Sequence, residues 1–67
     1  MLVYLFASGQ SSSNEKKTTK LFDQARIAYE SKLLNKSLEF LDEALALNPV
    51  FLDAYLLKSD IYQDMDS

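Results

Sequence analysis

Between Ser37 and Leu47 the apolar residues Leu38, Leu41, Ala44 and Leu45 recur at intervals of three, three and one, and Leu47 follows. Glu39, Asp42 and Glu43 fall between them. That spacing places the first four on one face of a helix and the acids on the other. Phe40 and Ala46 lie at the margins of the apolar stripe. Asn35 suits the N-cap, because its side chain can accept from the free amides of the first turn. Asn48 suits the end, since Asn tolerates left-handed backbone, and Pro49 cannot continue a helix but can open the next. The pattern predicts helix two from just after Asn35 to Leu47.

Upstream, Leu21, Ala25, Ala28 and Lys32 follow a spacing of three to four, flanked by Phe22 and Tyr29. Asp23, Gln24, Arg26 and Glu30 fall largely on the other side. This predicts helix one over about 19–31, capped by Thr18 or Thr19, with a turn over 31–35. Downstream, Phe51, Ala54, Tyr55, Leu57, Ile61 and Tyr62 recur at helical spacing. They predict helix three from Val50 or Leu52 to Asp64, with Asp53 favourably placed at the positive end of the helix dipole. The fold class is therefore all-α: an antiparallel helical hairpin plus a third helix.

The first ten residues differ from the rest. Leu2-Val-Tyr-Leu-Phe-Ala7 is apolar and uncharged, and Ala7-Ser8-Gly9 is a small-x-small triplet. The run is far shorter than the roughly 20 residues a membrane span needs. Residues 1–10 look like the remnant of a secretory signal peptide, with a strand or helical turn packed on the domain as the alternative. Residues 11–17 are polar and lack any large apolar side chain. They read as a flexible linker, because they can bury too little to offset their ordering entropy. The order implies an exported protein, periplasmic or outer-membrane associated, and otherwise a cytoplasmic one. Membrane contact is expected only through the N-terminal segment.

Composition narrows the function classes. At 67 residues the chain holds one small domain whose core is marginal without staples, and it has neither Cys nor His. Disulfides and zinc sites of Cys or His are excluded, as is a His general base. The net charge of -3 argues against nucleic acid, and Lys16, Lys17 and Lys20 form too short a cluster for a phosphate-binding patch. Ser11–Ser13 have no activating base nearby in the pattern. Asp60 and Asp64 share a helix face, but no glycine-containing loop adds the oxygens a calcium site needs. The acidic polar faces of helices two and three argue against an amphipathic membrane-surface helix. No enzyme, metal or cofactor is expected.

Taken in register, these residues resemble the tetratricopeptide repeat, a helical hairpin with a period of about 34 residues. One repeat spans 18–51. Leu21 falls at its first large apolar position and Ala25 at the small position where two helices approach. Ser37 opens helix two, Leu41 and Ala44 follow as large and small residues, and Pro49 closes the repeat. A second, truncated repeat starts at Leu52, covers 52–67, and places Tyr55, Ser59 and Tyr62 at the large, small and aromatic positions. The sequence departs from the pattern at Gln24 and Lys58, where Leu is usual, at Ala28 in place of Tyr, and at Lys32 in place of the turn Gly. An unrelated three-helix bundle would share the hydrophobic pattern.

The resemblance implies a protein-protein interaction scaffold that binds a peptide or partner protein, part of a larger exported chain. The first helices of successive repeats would line a groove formed by Thr19, Phe22, Arg26, Tyr29 and Glu30, then Asp53, Leu56, Asp60, Gln63 and Asp64. Asp60 and Asp64 would repel a C-terminal carboxylate. Further repeats would pack on helix three, where Leu57, Ile61 and Met65 are expected to lie uncovered; failing that, a free-standing domain would homo-oligomerise through helix three. An uncovered face of that kind is sticky. A secretory end, a tether and then a repeat also resembles the start of certain Bacteroidota cell-envelope proteins, in which repeats precede a β-propeller and a peptidoglycan-binding domain.

Overall fold

The computed structural model describes Leu2–Asp66, with side chains from Asn14 onward. It contains three helices, α1 (Leu2–Glu30), α2 (Leu34–Leu47) and α3 (Leu52–Asp66), and no strand among the described residues. The chain is all-α. The α1–α2 hairpin is its most intimate contact, and α3 packs on α2 more than on α1.

Helix α1 starts at Leu2, well before the expected start at Thr18 or Thr19. Thr18 is not a cap. Its buried hydroxyl donates to the Asn14 carbonyl at 2.7 Å, the back-bond of a residue inside a helix. The backbone of 11–17 is accordingly part of α1, in place of the expected tether. The side chains of 1–13 lie outside the described residues, and the signal-peptide reading of 1–10 lies there with them. The C-terminal end of α2, at Leu47 and Asn48, meets α1 at Asn14 and Glu15. The N-terminal part of α1 therefore runs past the hairpin, which accounts for a long dimension of 51 Å. No helix among the described residues is long and apolar enough to cross a membrane.

The turn after α1 is a Schellman motif. Leu33 N–H donates to the Ala28 carbonyl at 2.8 Å and Lys32 N–H to the Tyr29 carbonyl at 3.0 Å. The motif requires a left-handed residue, and Lys32 supplies it at φ 68°. The left-handed turn expected at Asn48 is thus found at Lys32. It delivers the chain into α2 at Leu34, two residues too early for Asn35 to cap. Leu33 holds the N-cap position and no side chain caps the helix.

Asn48 ends α2 in extended backbone, φ -143° and ψ 88°. Pro49 explains the correction, because the ring of a proline pushes the preceding residue into the extended region. The Asn48 side-chain oxygen accepts from Val50 N–H at 3.3 Å, and its carbonyl accepts from Phe51 N–H at 3.1 Å. The chain turns there and enters α3.

The core is Ala25, Leu41, Ala54, Leu57 and Ile61, with Phe22, Tyr29, Leu34, Leu38, Phe40, Leu45 and Phe51 packed around it. Small residues set the helix spacing. Ser37 is fully buried and its hydroxyl donates to the Ala25 carbonyl at 2.7 Å, so α2 lies against the backbone of α1. Phe22 meets Phe51 with ring centroids 5.1 Å apart and tilted 55°, which ties the start of α3 to α1. Lys58 reaches back from α3 to Asp42 on α2 at 3.1 Å.

These two ties fix the rotation of α3 and correct one expectation. Leu57 is 9% exposed and Ile61 0%, so both belong to the core. Of the three residues expected to lie uncovered only Met65 does, at 43%. The uncovered flank of α3 carries Tyr55 and Tyr62 instead, at 47% and 53%.

Candidate protein-binding surface

Two faces of the three-helix stack offer side chains from more than one turn of helix. The first lies where α1 runs beside α3. Tyr29 is half-buried on α1, and its hydroxyl interacts with Asp64 on α3. A hydrogen bond to the Asp64 carboxylate raises the Tyr29 pKa above the ordinary phenol value. Desolvation and the negative charges of Asp64 and Asp60 push in the same direction, because each disfavours the phenolate. This brings Tyr29, Asp60 and Asp64 into one patch. Asp53, about two turns before Asp60 and three before Asp64 on α3, is exposed and extends the same acidic edge.

The other groove residues expected from sequence are distributed differently. Phe22 is half-buried against Phe51 and serves the fold. Arg26 and Glu30 share a shallow depression with Asp23 and Ile27, all on α1. Leu56 is exposed. Gln63, one turn from Asp60, borders the flank of α3 that carries Tyr55, Lys58, Ser59, Tyr62 and Asp66. The structure therefore joins Tyr29 to Asp60 and Asp64, and places Gln63 at the edge of the groove that carries Tyr55 and Tyr62.

The second face is that flank of α3, a shallow groove of about 680 Å³. Tyr55 is held at its edge by a hydrogen bond from its hydroxyl to the Pro49 carbonyl at 2.8 Å. The row Tyr55, Ser59, Tyr62 matches the row Leu21, Ala25, Ala28 when the chain is shifted by the repeat length of about 34 residues. In α1 the small residues of the row are buried beneath α2. In α3 Tyr55, Ser59 and Tyr62 are exposed. Sequence periodicity marked Tyr55 and Tyr62 as apolar positions without indicating that they would remain uncovered.

A third surface was not foreseen. Lys17, Lys20, Leu21 and Gln24 of α1, with Glu43, Ala46 and Leu47 of α2, line a groove of about 480 Å³. Its floor is apolar and two lysines stand at its rim. The only sequence signal for it was the lysine cluster before helix one. Among the described residues, no three His, Cys, Asp or Glu side chains come together as a metal site would require.

The fold thus defines the class of the protein as an all-α chain, a close helical hairpin with a third helix laid against it. No family model matches the chain, and neither the curated proteins nor the solved structures contain a match to it.

Proposed function

We propose that the chain is a protein-interaction module of the tetratricopeptide type, which offers the α1–α3 face to an extended segment of a partner protein. The observation that supports this most is the meeting of Tyr29 with Asp60 and Asp64, which makes one continuous face from helices far apart in sequence. Asp60 and Asp64, with Asp53 exposed earlier on the same helix, make that face acidic. Such a face favours a peptide rich in Lys or Arg, whose cations meet the carboxylates while an apolar or aromatic side chain lies on the Tyr29 ring. The close approach of Ala25 and Ser37, at two of the small positions of the repeat pattern, supports the tetratricopeptide reading. In the same reading the module belongs to an exported cell-envelope protein, a placement that rests on the N-terminal apolar run.

The test is a titration of the isotope-labelled full chain with a lysine-rich peptide, followed residue by residue by NMR. Shifts should concentrate at Tyr29, Asp60 and Asp64, and the double change Asp60→Asn with Asp64→Asn should weaken binding several-fold. Shifts confined to another surface, or binding unaffected by that change, would refute the proposal.

A further inference from the structure

We draw no further inference here: the strongest candidate, the exposed flank of α3 that carries Tyr55, Ser59 and Tyr62, carries nothing, because nothing in the structure shows what covers it.

Discussion

Lys32 occupies a backbone position that suits glycine, and replacing it should stabilise the protein. Its φ of 68° places the side-chain Cβ close to the following carbonyl oxygen, a clash that costs about 1–2 kcal/mol for a residue other than Gly. Glycine removes that cost but is freer in the unfolded chain, which takes back roughly 0.5–1 kcal/mol. Lys32→Gly should therefore gain about 0.5–1 kcal/mol, a rise in melting temperature of about 3–6 °C for a chain of this size. The side chain is exposed, so little packing is lost. Thermal and urea unfolding of dilute protein, followed by circular dichroism, gives the number. Lys32→Ala keeps the Cβ and should show no such gain, which separates backbone relief from loss of charge. Hydrogen exchange should slow at Lys32 and Leu33, whose N–H groups close the motif on Tyr29 and Ala28. A Lys32→Gly protein no more stable than Lys32→Ala would refute the argument, and with it the left-handed turn that sets the angle of the hairpin.

Three further outcomes test the packing. Ser37→Ala should cost about 1 kcal/mol, the worth of one buried hydrogen bond, and Ser37→Leu should cost more by forcing α2 away from Ala25; urea unfolding compares the two. Ile61→Ala should cost about 2–5 kcal/mol, enough to unfold much of so small a domain, whereas Met65→Ala should be close to neutral, and equal effects would contradict the orientation of α3. Asp64→Ala should lower the pH at which the Tyr29 phenolate forms, seen by ultraviolet absorbance. Because the folded state raises the Tyr29 pKa, its contribution to stability is fully present below the unfolded value of about 10 and is lost as pH rises through the folded value. A Tyr29 titration indifferent to Asp64 would sever the link between α1 and α3.

The three helices and the ends of α2 and α3 to within a residue or two were legible in the sequence, because Leu38, Leu41, Ala44 and Leu45 admit one helical face and Pro49 enforces a break. The caps were less so. Asn35 and Asn48 have the right chemistry for their assigned roles, but chain geometry assigned the left-handed position to Lys32 and extended backbone to the residue before Pro49. The face of α3 was the least legible. Leu52, Tyr55, Leu56, Leu57, Ile61, Tyr62 and Met65 leave apolar side chains almost all round that helix. Its pattern cannot choose which stripe turns inward. Contacts outside the helix make the choice, through Phe51 on Phe22 and Lys58 on Asp42, and only the folded chain reveals them. The candidate groove shared this fate, because the rotation of α3 brought Asp60 and Asp64 to Tyr29 and set Gln63 at the edge of the tyrosine groove.

The contrast between the two equivalent rows bears on what α3 is for. In α1, Ala25 and Ala28 are buried, and Ser37 bonds directly to the backbone beneath them. Residues that small let two helices approach closely, and a groove so narrow is costly to leave open, since backbone and methyl groups would face water without a partner. The row on α3 keeps one small residue, Ser59, but places Tyr55 and Tyr62 on either side of it. A tyrosine pair stands up from the helix, keeps a helix laid there at a distance from the backbone, and has hydroxyls that water satisfies equally well. Tyr55 already shows this, bonded to the Pro49 carbonyl at an exposed edge. The α1 row is therefore shaped for close cover by α2, whereas the α3 row is a tyrosine surface that water satisfies without any cover.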